Sequence, residues 1–496
     1  MFPFIRNIKT IRYLRSVANL SIFCRGKPIT RSDLFTYTNG RFLINEEDQF
    51  ARRYQEFNID ALCDVAATAP AGGSVSPITT IEKLEGGFSK ALLMTKENGD
   101  EIVAKIPYRI AGPPVLTTGT EVGVLEFPWS SDISNPVEAE YIIMGKAPGI
   151  QLYELWGEMA EIEKLELIKS LTQLERQFSG IEFPAYGGLY LRWDAERFGF
   201  RRWKCLSDFG ISIVQRQFSL LAKQTPDNQS LIQHETPEEQ ARLLEATIAL
   251  MRMLDSHPIL SQFSQPTLWH TDLHMGNIFI SPDNKSLITS LIDIQSLSIR
   301  PLFLQTQWPI FIHPPRNYPQ GLIQPTLPQN FNNLDPDEQA LALHQRDLSK
   351  MSKAYEVSTF LENRPAYHAM YVPRVFRELF IRAGDVSTVG IVPLRGCLIE
   401  IFRNWSYLGM TGQCPYSFSP EETSAHGEQF ERYTKWNEAQ QLAMEALDTD
   451  ADGWISPHVD FELRRRQNRE LLEMYIERMA GQMSSEEVRR MWPFPE

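Results

Sequence analysis

The stretch LWHTDLHMGNIFI (residues 268–280) and the run LIDIQ (residues 291–295) that follows it carry the densest polar chemistry in the chain. His270, Asp272, His274 and Asn277 fall within eight residues, with apolar residues on both sides, and Asp293 is the one acid of the second run. Polar groups at that density between buried strands are costly unless a ligand or a hydrogen-bond network uses them. Asp272 and Asn277 place a potential base and an oxygen ligand on one loop. Asp293 lies 16 positions beyond Asn277, enough for two strands and a turn to return it to the same place. Two oxygen ligands plus substrate phosphates suit Mg²⁺, which otherwise keeps several waters. Asp272 would then orient a hydroxyl and accept its proton.

Taken singly, these residues have plainer readings. The histidines could be satisfied core residues, Asp272 and Asn277 turn residues, and Asp293 the partner of a buried arginine. A metal triad of His270, Asp272 and His274 is the competing joint reading, since alternate residues share a strand face. It leaves Asn277, Asp293 and Lys105 without a role.

Working outward, residues 46–67 carry the apolar spacing of one helix, broken by Gly72, Gly73, Ser74 and Pro77. Strand-like runs follow at 78–84, 91–95 and 101–106, with Gly86-Gly87 between the first two and the turn pair Asn98-Gly99 between the last two. This predicts an antiparallel meander. A helix over 116–129, a buried strand over 141–144 and a linker at 147–149 complete the small lobe. Helices are then expected over 158–178 and 236–256. The second has Thr236 as cap, Pro237 in its first turn and Glu239 completing a capping box. Residues 185–227 show no clean period. Proline-rich loops from Pro309 to Pro328 lead to helices over 335–363, 367–381, 427–448 and 456–482.

At 496 residues the chain is long enough for two or three compact units. Its net charge of −13 understates the acidity of the body, because the first 32 residues hold seven basic side chains and no acid. An acidic body argues against nucleic acid as a partner. The basic, Ser/Thr-bearing start resembles a mitochondrial presequence, which places the protein in mitochondria. Its five scattered cysteines form no CxxC pair, and no apolar run reaches the ~18 residues that span a membrane.

HTDLHMGN followed by IDIQ resembles the catalytic loop and metal-binding segment of the aminoglycoside phosphotransferase branch of the protein kinase-like superfamily. LEGGFSKALL, EIVAKIPY, TGTEVGVLEF and IDIQSLSIRPLFLQ are similar to the fungal phosphotransferase-like proteins named for altered inheritance of mitochondria, as is residues 34–63. The resemblance implies an α+β, two-lobed kinase-like fold: a presequence over 1–32, a helical segment over 33–77, an antiparallel-sheet N-lobe over 78–146, a helical C-lobe over 147–300 and a helical extension over 301–496. It implies ATP and Mg²⁺ as cofactors and an unidentified small-molecule hydroxyl as acceptor.

Residue by residue, the resemblance makes Asp272 the base, Asn277 and Asp293 the magnesium ligands, and His270 and His274 supports. Lys105 would hold the α- and β-phosphates, paired with Glu121 or, one turn on, Glu126; the TEVG context favours Glu121. Gly86, Gly87, Phe88, Ser89 and Lys90 would cover the phosphates, and residues 141–146, with Tyr141 and Met144, would receive adenine. Thr271 and Gly145 depart from the common pattern, in which a glycine and an acidic hinge residue stand there. A nucleotide-binding protein without turnover, acting in mitochondrial maintenance, is the alternative function. Asp208-Phe209-Gly210 precedes the catalytic loop and is expected to be structural. Asp448, Asp450, Asp452 and Gly453 match only half of a calcium loop, because Val459 stands at its twelfth position.

Overall fold

The computed structural model describes residues 20–69, 74–122, 128–188, 202–223, 236–294, 297–316 and 318–495. The chain divides into two compact units, the first drawn mainly from Met1–Lys146 and Gln441–Glu496, the second from Ala147–Leu189 and Phe200–Gln440. The last 56 residues thus join the first unit instead of forming part of a separate extension.

The first unit is built on strands β1 (Ser21–Cys24), β2 (Lys27–Pro28), β3 (Arg41–Phe42), β4 (Ile78–Glu85), β5 (Ser89–Lys96), β6 (Glu101–Pro107), β7 (Trp129–Ser130) and β8 (Tyr141–Gly145). Seven of them form one sheet in the order β2-β1-β4-β5-β6-β8-β7, antiparallel except where β1 runs parallel to β4. The expected meander is β4–β5–β6, and Gly99 makes its last turn at φ +89°. Side chains alternate across a strand, so Ile81, Leu92, Met94, Ile102, Ala104 and Ile106 share one buried face with Leu62 and Ala66.

The single helix expected over 46–67 is two: α1 (Glu46–Arg53) and α2 (Ile59–Thr68). Tyr54 turns extended, and Asn58 restarts the helix by accepting a hydrogen bond from the Ala61 amide at 3.0 Å. Helix α3 is described over Pro114–Val122 and begins two residues before the expected start. Residues 123–127, with Glu126, lie outside the described residues, and Trp129 belongs to β7.

Most of the basic N-terminal segment, residues 1–19, also lies outside them. Its remainder does not: Ile22 of β1 is buried in the sheet core. A segment removed at residue 32 would take a strand with it.

The half calcium loop serves as a tie. Asp450 accepts hydrogen bonds from the Asp452 and Trp454 amides, Asp452 accepts one from Arg53 at 3.3 Å, and the strand Trp454–Ile455 pairs with β3. The Trp454 indole donates to the Asn39 carbonyl at 2.7 Å.

In the second unit, β9 (Ile150–Gln151), β11 (Ile278–Ile280) and β12 (Ile288–Leu291) form one small sheet. The hairpin-like pair β10 (Pro266–His270) and β13 (Leu297–Pro301) forms another. Around them lie α4 (Glu161–Ser179), α5 (Leu206–Leu221), α6 (Pro237–Met251), α7 (Pro336–Glu362), α8 (Arg374–Gly384) and α9 (Val392–Arg403). Met251, Phe376, Leu379 and Leu398 anchor the core shared by α5, α6, α8 and α9, while Ile168 of α4 and Tyr355 of α7 belong to a separate cluster. Thr236 caps α6, but Glu239 does not close a capping box; its carboxylate pairs with Arg395 at 2.8 Å. The helix expected over 367–381 breaks before Pro373 into Arg364–Met370 and α8. Asp208, Phe209 and Gly210 lie in the first turns of α5, where Gly210 packs against Met251 and Phe380.

Candidate active site

The residues singled out by sequence fall into two sets, one in each unit. In the first unit the Lys105 ammonium donates to both oxygens of Glu121, at 2.9 and 3.1 Å. Both residues are buried, and a buried cation needs such a partner because water no longer solvates it. Glu121 is therefore a partner the structure assigns, while Glu126 lies outside the described residues.

Register decides the rest of this set. Lys105 lies opposite Ala91 of β5 and Ile142 of β8, on the sheet face away from the α2 core. Met144, opposite Val103, shares that face. Lys90 lies opposite Ile106 and so points the other way. Its ammonium is fully buried and donates to the Leu34 carbonyl. Burial, and then the neighbouring Lys83 charge, pushes its pKa down to about 7. Lys90 is thus removed from the phosphate-covering set. Tyr141 is removed from the adenine contacts for the same reason, since its ring lies in the sheet core. Gly86, Gly87, Phe88 and Ser89 do form the β4–β5 turn, where Phe88 is 56% exposed. A Cβ at Gly87 would meet no protein atom within 4 Å, so internal packing does not explain that glycine.

In the second unit, β10 delivers His270 into a buried position and the chain then turns through Asp272 to Asn277. The His270 Nε2–H donates to the Ile292 carbonyl at 3.0 Å, and Nδ1 accepts from the Asp272 amide at 3.3 Å. Burial lowers its pKa, which favours the neutral ring that this pattern requires. The Asn277 Nδ2 donates to the Asp272 carbonyl at 2.9 Å, closing the loop from within. His274 Nδ1 accepts from the Gly276 amide at 3.0 Å, and a Cβ at Gly276 would approach that ring to 2.8 Å. Both histidines are therefore scaffolding, which removes the metal-triad reading. The Asp272 carboxylate stays exposed while its backbone is held on both sides.

The Ile292 amide donates to the Asn277 carbonyl at 3.0 Å, which brings Asp293 beside Asn277. Asp293 sits at φ +62°, a left-handed backbone that a non-glycine residue adopts at a cost of about 1–3 kcal/mol. Among the described residues no three His, Cys, Asp or Glu converge on a metal position. The donor set that does converge is one amide and one carboxylate. With its nitrogen committed to Asp272, Asn277 presents its oxygen, and this pair fits a hard, largely hydrated divalent cation.

Beside Asp272, wholly within the second unit, lies a cavity of ≈ 460 Å³ whose walls include Glu175, Trp269, Arg300, Gln305, Trp308 and Arg377. Sequence reasoning passed over these residues, which are spread along more than 200 positions. Glu175 alone carried a signal. It continues the buried stripe Ile168, Leu171, Thr172 of α4, where an acid is out of place.

The fold is α+β, with an antiparallel-rich sheet in the first unit and a mainly helical second unit. No protein-family profile matches the chain. It is 28% identical to a subtelomeric hrmA-associated cluster protein of Aspergillus fumigatus, over 83% of this chain and 95% of that one. It is also 24% identical over 193 residues, 33% of each chain, to altered inheritance of mitochondria protein 9, mitochondrial, of Yarrowia lipolytica. Among solved structures it is similar to the streptomycin–ATP complex of the phosphotransferase APH(2")-IIa, with 13% identity and a TM-score of 0.36 over 67% of this chain and 94% of that one. A putative aminoglycoside phosphotransferase from Ralstonia eutropha gives 14% and 0.35 over 71% and 98%. At these TM-scores the likeness adds nothing to the topology described above. No described helix is long and apolar enough to cross a membrane.

Proposed function

We propose that the chain is an ATP- and Mg²⁺-dependent phosphotransferase that acts on a hydroxyl of a small molecule in mitochondria. The observation that carries this reading is the loop closed by Asn277 on the Asp272 carbonyl, with Asp293 returned beside it. It leaves an exposed carboxylate fixed by its backbone and two oxygen ligands at its side.

In the proposed reaction Asp272 orients the acceptor hydroxyl and takes its proton. The acceptor oxygen then bonds to the γ-phosphorus as the bond to the ADP oxygen breaks. Asn277 and Asp293 hold Mg²⁺, which when bound neutralises phosphate charge. In the first unit, Lys105, kept in place by Glu121, and the Gly86–Gly87 backbone are the groups that would bind phosphate. The mitochondrial assignment is supported by the acid-free basic start and by the mitochondrial relative of Yarrowia lipolytica. We place any removed leader within residues 1–19, ahead of β1.

Thermal unfolding with and without Mg-ATP tests the first half of the reading. Ligand at about 100 times its dissociation constant should add ~2.7 kcal/mol. No shift overturns it. A shift with no transfer of γ-phosphate to any component of a mitochondrial extract leaves a nucleotide-binding protein without turnover.

A further inference from the structure

The cavity beside Asp272 has charge and hydrogen-bonding capacity that the rest of the fold does not use. Arg300, on β13, makes no hydrogen bond or ion pair through its guanidinium with any described residue. Arg377, on α8, donates to the Phe303, Thr306 and Ala369 carbonyls through Nε and Nη2. Its Nη1 has no partner among the described residues. Arg377 is half-buried, and loss of hydration lowers its pKa with no opposing charge among the causes; the Arg300 side chain reaches solvent at the cavity wall.

The other wall holds two buried oxygens without a hydrogen-bond partner, Glu175 Oε1 and Gln305 Oε1. The second oxygen of Glu175 accepts from the Tyr355 hydroxyl at 2.8 Å. Burial raises its carboxyl pKa to about 8, so near neutrality it is mostly uncharged and does not cancel the arginines. Unused buried oxygens cost stability, and two of them at one cavity, with an exposed Arg300 and a half-buried Arg377 in its walls, are what a ligand site leaves when it is built for something specific.

We propose that this cavity is the acceptor site, and that the acceptor is a compact hydroxyl compound bearing an anionic group, carboxylate or phosphate, which Arg300 and Arg377 bind. Its apolar part lies against Trp269 and Trp308, and its remaining polar groups meet Glu175 and Gln305. A polycationic acceptor is disfavoured, because two arginines stand in the cavity walls. The identification of the cavity with an acceptor site rests on the phosphotransferase reading; its preference for anions does not.

The test uses the full chain without nucleotide and four matched probes: 4-(hydroxymethyl)benzoate, the corresponding phenylphosphonate, the benzamide and the benzylamine, each titrated calorimetrically. Charge-assisted contacts should make one or both acids bind about tenfold or more tighter than the amide, with the amine weakest. Carboxylate over phosphonate, or the reverse, identifies the anion. Arg300→Gln should bring the preferred acid down to the amide, and Arg300→Lys should restore part of the difference. Because the guanidinium of Arg300 supports no described contact, the thermal midpoint of both variants should match the parent. The proposal is overturned if neither acid binds, if the amide or amine binds as tightly, or if Arg300→Gln keeps the preference. If Arg300→Gln fails to fold, Arg300→Lys decides alone, and loss of anion preference with the cation retained overturns it. Anion preference without any Mg-ATP shift defeats the phosphotransferase reading instead, while transfer without anion preference defeats only this inference.

Discussion

Lys105 in the first unit and Asp272 in the second are the two charged groups on which the proposed chemistry turns, and the fold holds them in opposite ways. Lys105 is buried and kept by a carboxylate, so its charge is part of the architecture. Asp272 is kept by its backbone, through the Asn277 amide and the His270 ring, while its carboxylate points to solvent. The difference teaches which group can be altered without altering the protein. Removing the Asp272 charge should change chemistry alone, whereas removing the Lys105 charge should change stability and nucleotide affinity together.

The largest effect expected is therefore kinetic. Asp272→Asn should lower phosphate transfer by about 10²–10⁴-fold, the usual worth of a general base, while the thermal midpoint and the Mg-ATP shift stay in place. Undiminished transfer, followed with γ-labelled ATP, would end the base assignment. Lys105→Met comes next. Taking the cation away from buried Glu121 should cost about 3–5 kcal/mol in denaturant unfolding, and adding Glu121→Gln should recover much of that loss without recovering the Mg-ATP shift. A single variant as stable as the parent would erase the contrast between the two sites.

Glu175 sharpens it from another side, as a buried acid with no ion partner. Its folded pKa of about 8 lies above the unfolded value, so its favourable contribution is complete below about pH 4.5 and is lost as pH rises toward 8. Glu175→Gln should flatten that decline, by up to about 1.4 kcal/mol for each pH unit in the window. Urea midpoints measured from pH 5 to 8 would show it; parallel curves for parent and variant would refute it. The smallest effect is at Lys90, a buried cation that donates to the Leu34 carbonyl and lies over the Tyr108 ring. Its depressed pKa means that stability rises as pH climbs from about 7 toward 10, where the unfolded chain still binds the proton. Lys90→Met should remove that rise and change stability at pH 7 by about 1 kcal/mol, because the lost charge is offset by an unsatisfied Leu34 carbonyl. It should leave the Mg-ATP shift intact, and loss of the shift would return Lys90 to the phosphate-binding turn.

The catalytic loop was legible because its polar residues are contiguous and their spacing is enforced locally, by bonds spanning two to five residues within the loop. The meander was legible from its alternation and from Asn98-Gly99. Lys90 was not, because one step of strand register separates the glycine-turn face from the core face, and GGFSK reads the same either way. The break at Tyr54–Asn58 hid inside an apolar spacing that two short helices satisfy as well as one long helix. The cavity was hidden most completely, since Glu175, Arg300, Gln305 and Arg377 meet only through the packing of elements distant in sequence. Even so, an acid in the apolar stripe of α4 is the mark of a buried polar site.

The pairing of β3 with Trp454–Ile455 has a consequence for how the protein is made. Tyr37, Asn39 and Arg53 emerge from the ribosome some 400 residues before the Trp454 and Asp452 that they bind. The first unit can be finished only after some 400 further residues have been made. A product stalled before Trp454 would carry the complete loop of residues 268–280 and an unfinished first unit, which makes this pairing a checkpoint on whether that unit is assembled at all.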